Sequence, residues 1–223
     1  MVPTNLLTML AHSWPLLLQG LWGTILVSAC ALIIGFMGGV SLGVIACKKL
    51  KNPLTPLIAG YVLLIRGTPV YVQVLMVYYA LPELTGINLT PCSAGILALG
   101  CCSIAYVAEI VRGGINAVPL GQWDAAAVLG YSKMQTLRYI IVPQALKTVL
   151  PSLINEIVAV LKDSSILAAI GLMELTKVAT NISARTLDPI SAYTLVALAY
   201  FSITTGISLC AHYIEKKMEF AHD

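Results

Sequence analysis

Residues 15–46 read PLLLQGLWGTILVSACALIIGFMGGVSLGVIA, a run without a single Asp, Glu, Lys or Arg. A helix rises about 1.5 Å per residue, so about 20 apolar residues cross roughly 30 Å of hydrocarbon. This run is longer than that, which suggests tilt or an interfacial lead-in. Four further apolar stretches follow. They cover 57–81, interrupted by Arg66, Gly67 and Pro69; 92–111, with Glu109 in its last turn; 149–173, containing Glu156, Lys162 and Asp163; and 189–214. The pattern predicts an all-α, polytopic membrane protein with five transmembrane helices, its membrane domain spanning 15–215.

Composition agrees with lipid as the main solvent. Of 223 residues, 58% are hydrophobic and 10% charged, and the mean hydropathy is +0.88. A soluble chain carries about 25% charged residues to cover its surface. The net charge of +3 comes from 13 basic residues scattered singly or in pairs, so no basic stripe for nucleic acid exists. Cys30, Cys47, Cys92, Cys101, Cys102 and Cys210 show no CxxC spacing and read as small packing hydrophobes. With His12, His212 and His222 near the two ends, no metal site is expected. The first ten residues lack the positive region of a signal peptide, so the first run is expected to remain as a span.

Five spans put the termini on opposite sides, and the basic residues orient them. With the N-terminus outside, Lys48, Lys49, Lys51, Arg112, Lys133, Arg138, Lys147, Lys216 and Lys217 fall inside, and only Lys177 and Arg185 outside. The C-terminus is therefore expected in the cytoplasm. Gly35, Gly39 and Gly43 form small-xxx-small pairs, which permit close helix approach within the chain or across a dimer.

The inner link 112–148 is too patterned for a plain connection. Residues 112–147 read RGGINAVPLGQWDAAAVLGYSKMQTLRYIIVPQALK. Asp124 can cap or open a helix after Pro119 and Gly121, Gly130 breaks or bends it, and a second helix can begin at Ser132. Leu137, Ile140 and Ile141 are apolar at helical spacing, and Pro143 marks an end or a bend. Two short helices on the cytoplasmic face fit either an interfacial hairpin or a docking knob for another protein.

Ionisable groups within spans default to functional or paired roles. Glu156 and Asp163, seven residues apart, share a helix face and can line a cavity that attracts an ammonium group, or belong to a structural network in which Lys162 pairs across the bundle. Arg66, where Gly67 and Pro69 open the backbone, can bind a carboxylate or pair with Glu109 or Glu156. Thr68 and Gln73 are further polar candidates for the path. Glu109 and Arg112, three apart, can pair and brace the start of the inner element.

The stretch Gln122-Trp123-Asp124-Ala125-Ala126 with Gly130 and Ile141-Val142-Pro143 resembles the EAA loop of permease subunits of ATP-binding-cassette importers, with its Gly and Pro 13 residues apart, here Gly130 and Pro143. Asp124 stands where glutamate is usual, and Val142 replaces a leucine. Arg66-Gly67-Thr68-Pro69 with Gln73, Glu109-Ile110-Val111-Arg112-Gly113-Gly114-Ile115 and Leu161-Lys162-Asp163-Ser164-Ser165-Ile166 are similar to motifs of the polar amino acid branch. The resemblance implies an importer half in a bacterial inner membrane. A second permease, identical or homologous, would complete the route; two ATPase subunits would hold ATP and Mg; and an extracytoplasmic solute-binding protein would deliver a small polar amino acid. It implies that Asp124, Ala125, Ala126, Gly130 and Pro143, within a coupling-helix pair over about 118–147 between the third and fourth spans, meet the ATPase. The chain has no GxxxxGK[ST] phosphate loop and so no ATP site or cofactor of its own. An importer of another small polar solute, or an ion-coupled carrier working without an ATPase, is the alternative.

Overall fold

A computed structural model describes residues 6–50 and 52–220, and every regular element among them is helical. Lys51 and His222 lie outside the described residues. The chain runs through α1 (Leu6–Ile45), a 3₁₀ turn at Lys48–Leu50, α2 (Thr55–Arg66) and α3 (Val70–Leu75). A π segment at Met76–Ala80 leads into α4 (Leu81–Thr85). Next come α5 (Pro91–Ala117), α6 (Leu120–Val128) and α7 (Lys133–Thr136). A second π segment, Leu137–Ile141, opens into α8 (Val142–Asp163), followed by a 3₁₀ stretch at Ser164–Ile170, α9 (Leu175–Thr186) and α10 (Pro189–Phe220).

Three stretches among the described residues are long and apolar enough to cross a membrane: Thr8–Ile45, Pro91–Ala117 and Pro189–Tyr213. The broken pair Thr55–Arg66 and Val70–Thr85 makes a fourth if it is one span. The helix over the remaining apolar stretch, α8, is not among them. It carries Lys147, Asn155, Glu156, Lys162 and Asp163 and stops at Asp163, short of the expected 173.

Several helix ends differ from expectation for local reasons. α1 starts at Leu6 and runs through Pro15, because the apolar pattern extends upstream of that proline. The second apolar stretch breaks at Gly67–Thr68. Pro69 is extended, with φ −63° and ψ 133°, and a residue preceding proline is disfavoured in helix. Thr68 compensates by donating its hydroxyl to the Leu64 carbonyl at 3.0 Å. α6 begins after extended Pro119, so Asp124 lies in the helix body rather than at its cap.

By internal packing the chain forms two units. One comprises Met1–Leu32, Pro69–Gly100 and Val158–Cys210; the other comprises Ile33–Thr68, Cys101–Ile157 and Ala211–Asp223. In the first, Val27, Val74, Leu99 and Leu167 centre one apolar cluster, and Leu17, Leu175, Val178 and Leu195 another. In the second, Val107, Trp123, Leu137, Ile141 and Val149 pack together, and Ile58, Val62 and Ala105 form a smaller group. Within this second unit the glycine face of α1 meets α5. A Cβ on Gly39 would lie 2.5 Å from the Val107 Cβ, and one on Gly43 2.6 Å from the Ala108 carbonyl oxygen. The small residues therefore serve close packing inside the chain. Outward, Met37, Leu57, Leu63, Leu64 and Phe201 stand more than half exposed, as expected where hydrocarbon replaces water.

Candidate functional site

The patterned inner link folds into two short helices with a well-defined turn. At Gly130, φ is +82°, a left-handed conformation open to glycine without a Cβ penalty. The Tyr131 N–H donates to the Ala126 carbonyl at 3.0 Å and the Gly130 N–H to the Ala127 carbonyl at 3.1 Å. These two bonds are a Schellman closure. Ser132 then caps α7 with a full capping box: its hydroxyl accepts from the Gln135 N–H at 3.3 Å, and the Gln135 side chain accepts from the Ser132 N–H at 2.8 Å. Both ends of the turn are thus locked by hydrogen bonds.

This pair is held by one side and displays the other. Trp123, Ala126, Leu137 and Ile141 are buried, three of them in the core cluster with Val107 and Val149. Gln144 donates to the Gln122 side-chain oxygen at 3.3 Å, tying α6 to the start of α8. Asp124 pairs with Lys49 at 3.7 Å. Outward stand Val128, 88% exposed, with Leu129 and Met134. Ala125, Gly130 and Pro143 are also exposed, whereas Ala126 faces inward. Pro143 does not end the helix. It is the second residue of α8, after the wider π turn, where its missing N–H costs least.

A second cluster gathers ionisable residues of α2 and α5. The Arg112 Nε donates to Glu109 Oε2 at 2.9 Å, and its Nη2 to Oε1, a bidentate pair. Arg66 Nη1 lies 3.9 Å from the same Oε1, and its guanidinium sits 5.3 Å from the centre of the Tyr106 ring. One carboxylate thus serves two guanidinium groups, and Arg66 takes Glu109 rather than Glu156 as its partner. Tyr61 donates to the Cys101 carbonyl at 2.6 Å, bracing α2 on α5 in the same unit.

The remaining expected residues are placed as follows along the chain. Glu156 is buried in α8. Thr68 spends its hydroxyl on the Leu64 carbonyl, Gln73 is half-buried in α3, and Asp163 is the half-buried last residue of α8. Lys162 is exposed and forms no ion pair within 4 Å among the described residues.

The sequence reading passed over one buried carboxylate. Glu174 is fully enclosed at the N-cap of α9, where its oxygens accept from the Thr176 N–H at 2.7 Å and the Lys177 N–H at 2.6 Å. The Tyr200 hydroxyl donates to it at 2.9 Å, and no cation lies within 4 Å among the described residues. α1 approaches this turn through Gly20 and Gly23, and the Thr24 hydroxyl accepts from the Leu175 N–H at 3.3 Å. An acidic residue opening a helix just after a glycine turn was the available signal.

Comparison with known proteins matches residues 35–220 to the model of the binding-protein-dependent transport system inner membrane component family. A putative glutamine transport system permease protein of Rickettsia conorii is 37% identical over 91% of this chain and 92% of its own length. An arginine transport system permease protein of Bacillus subtilis is 32% identical over 92% of this chain and 93% of its own. Among solved structures, a chain from the crystal structure of an amino acid ABC transporter with histidines superposes with a TM-score of 0.88 at 36% identity, covering 97% of this chain and all of the other.

Proposed function

This chain belongs to the binding-protein-dependent transport system inner membrane components, and from that membership we infer that it forms half of the translocation path of a polar amino acid importer. The subunit is a transport component of a multi-pass inner-membrane system, and hydrolysis belongs to partner ATPase chains, where ATP and Mg would sit. Relatives named for glutamine and arginine transport support a small polar amino acid as cargo. Five spans, with α8 and the following 3₁₀ stretch as the fourth, give an outside N-terminus and a cytoplasmic C-terminus. A second permease, either another copy or a homologue, and an extracytoplasmic solute-binding protein complete the proposed assembly.

The observation that carries the mechanism is the exposed apolar tip of Val128, Leu129 and Met134 on a doubly locked helix pair. A rigid apolar knob suits a cleft on a moving partner. Its inner face, anchored through Trp123, Leu137 and Ile141, hands displacement to α5 and α8 by direct packing. A contact transmits such a change only if it is made differently in the two states of the ATPase. Asp124, Ala125, Ala126, Gly130 and Pro143 supply and shape this coupling element. Glu156, Gln73, Thr68 and Asp163 are the proposed polar residues of the path, and Arg66 with Glu109 and Arg112 is assigned to bracing.

The test is uptake of labelled amino acids into proteoliposomes holding the complex with its native partners. Uptake that requires both ATP and the binding protein is expected. Val128→Asp with Leu129→Asp should lower it at least about tenfold while the chain stays folded, as for loss of an interface anchor. ATP-independent exchange by this chain alone would replace the importer reading with that of a secondary carrier.

A further inference from the structure

Beside the Glu109 cluster, within the same unit, lies a cavity of about 390 Å³ lined by Lys48, Arg66, Glu109 and Arg112 together with apolar residues including Val62 and Leu63. The charge is unbalanced. Three cations face a single carboxylate, and that carboxylate is already shared by Arg66 and Arg112. The Lys48 ammonium has no acidic partner within 4 Å among the described residues. A site with this surplus attracts an anion.

The apolar part of the lining narrows the chemistry. Leu63 lines the cavity yet is 75% exposed, and Leu57 and Leu64 on the same helix are similarly bare, so the opening looks onto lipid-facing surface. A soluble anion would meet that wall without gain. A molecule with a negative head and hydrocarbon tails would satisfy both parts. Lys48 follows α1 directly, at the end where the basic residues cluster, and basic pockets at cytoplasmic helix ends hold acidic headgroups.

We propose that this cavity binds an acidic phospholipid of the cytoplasmic leaflet, its phosphate held by Lys48, Arg66 and Arg112 and an acyl chain lying along Val62 and Leu63. The leaflet assignment rests on the orientation proposed above; the binding itself does not require transport. Glu109 sets the strength of the site by offsetting part of its positive charge.

The test is native mass spectrometry of the assembled complex released from nanodiscs of phosphatidylcholine with phosphatidylglycerol, counting retained lipid. Selective retention of phosphatidylglycerol is expected. Lys48→Gln should weaken it about fivefold, the effect of one basic residue near a membrane surface. Ala59→Trp, at an exposed lining position, should abolish it by filling the cavity. Glu109→Gln should strengthen it, a gain that general damage to the fold would not produce. Equal retention of both lipids, or insensitivity to all three variants, would overturn the proposal. So would displacement of the lipid by inorganic phosphate alone, or another protein chain seated over the cavity in the assembled complex. Because retention is read without ATP or amino acid, selective binding in a complex that fails to import would sink the importer reading and leave the lipid site standing; the reverse pattern would do the opposite.

Discussion

Glu109 and Glu174 are both carboxylates in an apolar chain, and they are stabilised in opposite ways. Glu109 is part-exposed and takes two guanidinium partners from α2 and α5. Glu174 is fully enclosed and takes two backbone N–H groups and a tyrosine hydroxyl. Ion pairing near an accessible cavity leaves charge available to other ligands and to salt. Fixed dipoles around a sealed carboxylate leave nothing available, and they order the chain instead. The first arrangement suits a place where something binds, the second a place where three helices must keep one geometry.

The contrast can be broken most sharply at Glu174. Glu174→Ala leaves the part-buried Thr176 and Lys177 N–H groups without their acceptor and removes one bond from the Tyr200 hydroxyl, each unpaired group costing about 1–3 kcal/mol. We expect a loss of about 3 kcal/mol, read as a lower unfolding midpoint of the solubilised complex; a change within error would mean that water enters the turn. Tyr200→Phe removes one donor and should cost about 1 kcal/mol. Combined with Glu174→Ala it should add less than it costs alone, because the Tyr200–Glu174 bond is already gone, and full additivity would show that the two residues act separately. The smallest effect is expected at Glu109. There Glu109→Gln should cost under about 1 kcal/mol, as for a partly solvated ion pair. Raising salt should shrink that difference while leaving the Glu174→Ala difference unchanged; equal salt responses would erase the distinction between the two sites.

The polar residues of the third and fourth apolar stretches were legible as a set, but their partners were not. Spacing of three made the Glu109–Arg112 pair readable because helical neighbours are fixed by geometry. Arg66 had two candidate carboxylates, and only the packing of α2 on α5 selected Glu109. Lys162 stands exposed beside Asp163. Trp123 lies within the motif, yet its burial against the rest of the unit depends on a core assembled from α5, α6 and α8.

Sequence by itself determined the all-helical membrane class, the family resemblance and the turn at Gly130, because hydropathy, local spacing and left-handed backbone are properties of neighbouring residues. Tertiary structure alone decided which glycines of α1 meet which helix, that Thr24 binds the Leu175 N–H across 151 positions, and that Glu174 is sealed beneath Tyr200. Those contacts are set by the fit of distant surfaces, and no local pattern encodes which distant surface will arrive.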